Sequence, residues 1–257
     1  MEIEDPPGFI VRTEAEKAAW DNGYRILREI ERGWLRYGST TAKGDIWIAG
    51  ASAQGPWLLS IEHSGVIAEI ETLDSAPNAG PGRATYAFSA LGKLHAALDR
   101  VYKLAASLPD APLSRFIKET AILPQTTEAE RLVVQRIGQS VFRDALMDYW
   151  GGCCPLTGIT NPELLRASHI IPWSECDDKE RLNVHNGLLL SALWDAAFDK
   201  GLVSFAGDGT PILSARLSAA ARRALILDAS PILSGLRDPQ RERLAWHRAN
   251  AFLDGAD

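Results

Sequence analysis

The feature that most constrains this fold is a set of polar residues within two short apolar runs, between residues 166 and 205. His169 stands at the head of the first run, and Asn186 opens the second. A helix-like segment follows, in which Asp195 and Asp199 are four positions apart. Residues at this spacing lie on one face of a helix, so the two carboxylates can converge on one metal ion. The stretch therefore predicts a strand–strand–helix unit with a histidine, an asparagine and two carboxylates.

These residue types suit the hydrolysis of a phosphodiester bond. The reaction needs a base that activates water, a positive charge that stabilises the phosphorane, and neutralisation of the leaving oxygen. His169 is the candidate base, because imidazole titrates near neutral pH. Asp195 and Asp199 are candidate metal ligands, and their hard oxygens favour Mg²⁺ or Mn²⁺ as the cofactor. His185, beside Asn186, competes as the base, and we expect it to pack in a loop.

The period of the apolar residues divides the first half of the chain. Residues 13–36 show three- and four-residue steps after a capping-box pattern, which predicts a helix, although Gly23 interrupts it. Short apolar runs between residues 45 and 73 predict antiparallel strands. Residues 75–83 are rich in Pro and Gly and predict a loop, and residues 87–108 again predict a helix.

A segment of Pro and small polar residues around Pro124 separates two helical patterns. We therefore predict an N-terminal domain over residues 1–123 and a C-terminal domain over residues 124–257. Thr127 and Glu130 form a capping-box pattern for a helix that runs to Tyr149. After the polar stretch, the chain predicts a hairpin and two helices. The fold class is α+β, with an N-terminal α+β domain before a ββα unit with flanking helices.

Composition limits the class of protein. No apolar run among the 257 residues approaches the roughly 20 needed to span a bilayer, and the N-terminus lacks the pattern of a signal peptide. A cytoplasmic protein without a membrane segment is expected. The three cysteines lack the spacing of a disulfide framework or of a four-cysteine zinc site. The net charge of −6 disfavours a wholly basic nucleic-acid coat but allows a local basic patch.

The residues around the polar stretch follow the pattern of a known family. Residues 168–173 read SHIIPW, residues 186–190 read NGLLL, and residues 198–202 read FDKGL. In order and spacing, these motifs resemble the HNH endonucleases, whose shared core is a ββα-metal finger. The lead-in over residues 135–158 is similar to the bacterial restriction-type branch. The resemblance extends over residues 126–252.

The resemblance implies a role for each matching residue. His169 corresponds to the general base, and Asn186 holds the loop between strand and helix and so orients that base. Asp195 and Asp199 correspond to the metal ligands on the helix. Two features depart from the family pattern: Ser168 occupies a position that is often a third ligand, and both helix positions are Asp instead of His. With serine at position 168, the resemblance implies a first shell of two carboxylates plus water and phosphate. Asp at both helix positions favours Mg²⁺ over the transition metals that histidine ligands prefer.

The resemblance also implies a restriction or phage-defence endonuclease that acts on double-stranded DNA. Its N-terminal domain would recognise modified DNA, either phosphorothioated or methylated. Because two strands need two centres, a homodimer is an expected assembly. Candidate phosphate contacts of the C-terminal domain are Arg136, Arg143 and Arg166. In the N-terminal domain, Arg83 and Tyr86 follow a Gly/Pro loop that starts at Asn78 and are candidate DNA contacts.

Other interpretations compete with this one. His169 could be a structural histidine on a strand, and the two aspartates could simply face solvent. Trp173 and Trp194 are expected in the core. A finger that binds DNA without cutting it would also fit the serine at position 168. A defence nuclease that a small molecule activates is a third alternative.

Overall fold

The computed structural model describes residues 2–70, 80–124, 126–225 and 231–255. The architecture is α+β, as predicted. The chain forms two compact units, Met1–Ala111 and Pro112–Asp257. Residues 112–123, assigned to the first domain from the sequence, lie in the second unit. No helix within the described ranges is long and apolar enough to cross a membrane.

The first unit is a five-stranded antiparallel sheet, whose strands are adjacent in chain order. Helices α1 and α3 pack on one face of this sheet. A Cβ at Gly50 would lie 3.0 Å from Cγ1 of Val11, so α1 lies directly against the third strand. The elements are α1 (Phe9–Asp21), β1 (Ile26–Glu31), β2 (Trp34–Gly38), β3 (Ile46–Gly50), β4 (Trp57–Ile61), α2 (Ser64–Glu69), β5 (Ala84–Phe88) and α3 (Leu91–Ser107).

The helix predicted over residues 13–36 is wrong, because α1 starts earlier and the chain turns into two strands after it. Gly23 has φ +85°, and a Cβ there would lie 2.3 Å from the Tyr102 ring, so this end of the helix requires glycine. Strands β1 and β2 then pair through a two-residue turn at Arg32 and Gly33, both with positive φ. Packing in the sheet overrides the helix-like spacing of the apolar residues.

The strand predicted near residue 65 is also wrong, since residues 64–69 form α2. His63 caps this helix, because its Nδ1 accepts a hydrogen bond from the Val66 N–H at 3.3 Å. The strands predicted from the neighbouring apolar runs are confirmed as β3 and β4. Of the loop predicted over residues 75–83, positions 75–79 lie outside the described residues.

The second unit confirms the strand–strand–helix order predicted for the polar stretch. Helix α5 begins with the predicted capping box, in which Thr127 and Glu130 exchange hydrogen bonds. Strands β6 and β7 pair antiparallel, and α7 follows β7 directly. The elements are α4 (Asp110–Thr120, begun in the first unit), α5 (Glu128–Tyr149), β6 (Leu165–His169), α6 (Asp178–Arg181), β7 (Gly187–Ser191), α7 (Ala192–Asp199), β8 (Val203–Phe205), β9 (Pro211–Leu213), α8 (Ala219–Leu225) and α9 (Asp238–Asn250).

Two packing arrangements hold the ββα unit in place. On one side, α5 approaches β7 so closely that a Cβ at Gly187 would lie 2.6 Å from Cζ of Phe142. On the other side, α7 presents Trp194 and Phe198 to a core that also receives Phe205 and residues of α8 and α9. Trp194 is 2% exposed, so its predicted place in the core is confirmed. The strands are therefore fixed between α5 and α7.

Candidate active site

The two polar residues at the end of β6 serve opposite sides of the strand. In the β6–β7 ladder, Ser168 pairs with Leu188 and His169 pairs with Gly187. Successive side chains of a strand point to opposite faces. Ser168 accordingly donates its hydroxyl to Oδ1 of Asp195 on α7, whereas His169 packs toward α5.

His169 is held by two aromatic rings and one hydrogen bond. Its ring stacks on Phe142 with centroids 3.9 Å apart, and Trp173 meets it edge-on at 5.4 Å. Nε2 lies 2.8 Å from the backbone oxygen of Arg181. A carbonyl oxygen only accepts, so Nε2 bears the proton of the neutral ring and Nδ1 keeps a lone pair. Burial lowers the pKa of His169, which favours the neutral ring at neutral pH. The residue can therefore accept a proton.

Asn186 ties down the backbone that follows β6. Its side chain is fully buried. Oδ1 accepts a hydrogen bond from the Ile171 N–H at 2.8 Å, and Nδ2 donates to the Ile171 oxygen at 3.2 Å. The backbone oxygen of Asn186 also accepts from the Ile170 N–H at 3.0 Å. These contacts fix the chain next to His169.

The two aspartates of α7 differ in their surroundings. Asp195 is half-buried, and burial raises its pKa, while the Ser168 hydroxyl opposes that change. The negative charge of Asp199 raises the pKa of Asp195 further, and the positive charge of Arg166 lowers it. Asp199 itself is exposed and forms an ion pair with Nζ of Lys200 at 2.8 Å. The structure thus places both carboxylates on one helix, with Ser168 beside the first.

This donor set suits a hard divalent ion. Mg²⁺ is usually held by one or two carboxylates, and waters and substrate phosphates complete its shell. Asp195, Asp199 and the Ser168 hydroxyl offer only oxygen atoms, which match this preference. Within the described ranges, no group of three His, Cys, Asp or Glu residues could hold a metal ion.

The three candidate arginines of the second unit have different surroundings. Arg143 donates to the backbone oxygens of Leu165 at 2.8 Å and Pro162 at 2.7 Å, and so anchors the start of β6. Arg166 is exposed, and its charge acts on Asp195. Arg136 is exposed on α5. Nη1 of Arg166 also donates to the backbone oxygens of Glu163 at 2.8 Å and Leu165 at 2.9 Å. Arg136 and Arg166 are exposed, and Arg143 is half-buried.

The two candidate residues of the first unit also differ. Arg83 is exposed, and its N–H donates to the Ile61 oxygen at 2.8 Å next to β5. Tyr86 is 4% exposed and pairs with Leu59 inside the sheet, and burial raises its pKa. A ring buried to this degree packs within the unit, so Arg83 is the one of the two whose side chain is exposed.

Some contacts of the site have no signal in the sequence. The partner of His169 is a backbone oxygen, which any residue at position 181 would supply. The sequence hints at the hydrogen bond from Ser168 to Asp195 only because a serine stands where the family often has a metal ligand. His185, the competing base, packs edge-on against Tyr149 with centroids 5.6 Å apart.

The ββα unit, with a histidine at the end of its first strand and carboxylates on its helix, has the arrangement of a nuclease finger. The model of the HNH endonuclease family matches residues 154–206, which include β6, β7 and α7. The second unit therefore contains an HNH endonuclease domain. This domain indicates a nuclease with DNA as its substrate, and HNH nucleases generally use a divalent metal ion. A search of the curated proteins finds no match to the chain. The restriction-type branch stays a prediction.

Proposed function

We propose that this protein is a metal-dependent endonuclease that hydrolyses the phosphodiester bonds of double-stranded DNA. The observation that carries the proposal is the hydrogen bonding and protonation of His169, which lies within the segment that matches the HNH endonuclease family. Its Nε2 is occupied by the Arg181 oxygen, its pKa is lowered, and its Nδ1 is left as a base. A neutral imidazole of this kind is what the activation of water requires.

In this mechanism, each residue of the site has one task. His169 would take the proton of the attacking water at Nδ1. Because its ring lies on the α5 side of β6 and Asp195 lies on the α7 side, the phosphate and its water would have to reach both at the end of the strand. Asn186 keeps the adjacent backbone in place. Asp195 and Asp199 would hold Mg²⁺ or Mn²⁺, with Ser168 orienting the first carboxylate. When bound, such an ion supplies positive charge for the phosphorane and the leaving oxygen.

Exposed arginines would position the DNA backbone for this reaction. Arg166 stands on β6 close enough to Asp195 to lower its pKa, so it would meet the phosphate next to the scissile bond. Arg136 would contact a phosphate farther along α5. Arg143 would act indirectly, because its guanidinium secures the strand that bears the base.

The finer role that we propose is a restriction or phage-defence enzyme, which would work in the cytoplasm. Its first unit would select modified DNA, either phosphorothioated or methylated, with Arg83 among the contacts. A homodimer would supply one centre for each strand.

Cleavage of matched supercoiled plasmids tests this proposal. The plasmids are unmodified, cytosine-methylated or phosphorothioated, and each is incubated with Mg²⁺, with Mn²⁺ or with EDTA. We expect cutting that needs the metal and is fastest on one modified plasmid. If all three plasmids are cut equally, the proposed selection of modified DNA is wrong. If none is cut, the proposed nuclease activity is wrong.

One observation favours a second candidate, a finger that binds DNA without cutting it. Ser168 stands where a third ligand is often found, and its hydroxyl already engages Asp195. Titration calorimetry with Mg²⁺ separates the two candidates. A nuclease should show a saturable site that Asp195→Ala removes, whereas a non-cutting finger should show none.

A further inference from the structure

The sheet face that α1 and α3 leave open contains a pocket of about 400 Å³, a volume typical of small-ligand sites. Trp34 on β2 and Trp47 on β3 both line it. Arg36 lies opposite Trp47 in the ladder, so Trp34, two residues earlier, is the diagonal neighbour of Trp47. Glu29 and Glu31 of β1 line the same pocket. Two aromatic rings and two carboxylates thus converge there.

The Trp47 ring is fixed by its surroundings. The Arg36 guanidinium lies 5.2 Å from the ring centroid. Arg36 is itself held, since it donates to Oε1 of Glu29 at 2.9 Å and to Oδ2 of Asp45 at 2.7 Å. A ring held in this way is preorganised, which lowers the entropy cost of binding a ligand. Arg36 engages Oε1 of Glu29 and not its Oε2.

The loop before β5 forms a wall of the pocket. The Gly82 N–H donates to Oγ of Ser60, and the Gly80 N–H donates to Oγ1 of Thr85, both at 2.9 Å. A Cβ at Gly80 would lie 2.4 Å from the Thr85 hydroxyl, so the loop reaches the sheet only because glycine is present. Gly80 and Pro81 therefore border the pocket in a defined position.

Arg32 lies at the rim of the pocket in an uncommon conformation. Its φ is 50°, a left-handed value that residues with a side chain seldom adopt. Its side chain is 87% exposed and borders the pocket. The two-residue turn between β1 and β2 accounts for this φ value, because such turns take positive φ at both central positions. Nε of Arg32 lies 3.7 Å from Oε1 of Glu31, and the exposed guanidinium would meet a phosphate outside the pocket.

We propose that this pocket binds one unstacked DNA base with an exocyclic amino group, such as cytosine. Trp47, which is half-buried, offers a stacking surface above the buried Trp34, and the carboxylates would accept hydrogen bonds from the amino group. A thymine would turn a carbonyl oxygen toward those carboxylates, which is unfavourable. The acidic lining keeps phosphates outside, where Arg32 can contact them. The inference rests on the proposed function, in which the first unit contacts DNA, and it names the part of the DNA that is recognised.

Fluorescence anisotropy with the full chain in EDTA tests this inference without cleavage. The probes are labelled duplexes with one unpaired cytosine, one unpaired thymine, or no unpaired base. We expect the cytosine duplex to bind roughly tenfold more tightly than the thymine duplex. Trp47→Ala should weaken cytosine binding by roughly tenfold, whereas the control Trp20→Ala, an exposed tryptophan of α1, should not. Glu31→Gln should reduce the ratio of the cytosine affinity to the thymine affinity, since glutamine offers both a donor and an acceptor.

Equal binding of the three duplexes by the parent would overturn the inference. An unchanged preference for cytosine over thymine in both Trp47→Ala and Glu31→Gln would also overturn it. The Glu31 side chain is 69% exposed and is not needed for folding. If tetramethylammonium quenches the tryptophans while cytosine is not preferred, the pocket is a cation site instead. Because these assays score no cutting, failure of plasmid cleavage would remove the nuclease proposal separately.

Discussion

Replacement of Asn186 by alanine should destabilise the second unit by about 3 kcal/mol. The side chain is fully buried and bonds both backbone groups of Ile171, at 2.8 Å and 3.2 Å. Alanine would leave that N–H without this partner, and the oxygen would keep only the weak donor Sγ of Cys176 at 3.6 Å. An unsatisfied buried group costs roughly 1–3 kcal/mol. Ile171 is only half-buried, so each group should cost roughly 1–2 kcal/mol, and the two together give the value above.

Urea denaturation and hydrogen exchange of the full chain measure this loss. The Ile171 amide should exchange roughly 5- to 30-fold faster in the variant, as expected for a loss of about 1–2 kcal/mol. Asn183→Ala is the matched control, because Asn183 is half-buried and its Oδ1 caps a short turn by accepting from the His185 N–H at 3.0 Å. Its loss should cost about 1 kcal/mol. An Asn186→Ala cost no larger than that of the control would refute the reasoning.

Three further predictions follow from single contacts. Burial lowers the pKa of His247 from 6.5 to about 4. The free energy of unfolding should therefore be highest above pH 6.5 and fall by roughly 3 kcal/mol as the pH drops toward 4. In urea titrations, His247→Phe should lose less stability over this pH range than the parent, and an equal loss would contradict the prediction. Gly187→Ala should cost roughly 1–3 kcal/mol by thermal unfolding, because its Cβ would meet Phe142, whereas Gly92→Ala, with open space around it, should be close to neutral. The cutting rate should decline only below pH 6.5, since the pKa of His169 is lowered; a midpoint of the rate profile at or above 6.5 would exclude it as the base.

Local signals made the second unit predictable. The capping box at Thr127 and Glu130 fixes where α5 begins, and its apolar stripe predicts its length. Asn186 comes directly before the apolar run of β7, and the aspartate pair follows where the spacing of apolar residues changes from that of a strand to that of a helix. In such segments, caps and periodicity agree with the final packing, so the ββα unit could be predicted from the sequence.

Tertiary contacts decided what the sequence did not predict. The β1–β2 turn uses Arg32 and Gly33 instead of the usual Asn-Gly signal, so its strand pair resembled one long helix. The candidate base is oriented by a backbone oxygen twelve residues away, at Arg181. Trp34 and Trp47 lie in separate segments of the sequence, and only the sheet register brings them together.

The most direct test of the nuclease claim compares two histidine variants in metal-dependent cleavage of supercoiled plasmid DNA. His169→Ala removes the proposed base, and His185→Ala removes the neighbouring histidine that competes for this role. With Mg²⁺ present, we expect His169→Ala to lose roughly 100- to 10,000-fold in cutting rate while His185→Ala keeps the parent rate. If His169→Ala cuts as fast as the parent, His169 is not the base, and the proposed centre is wrong.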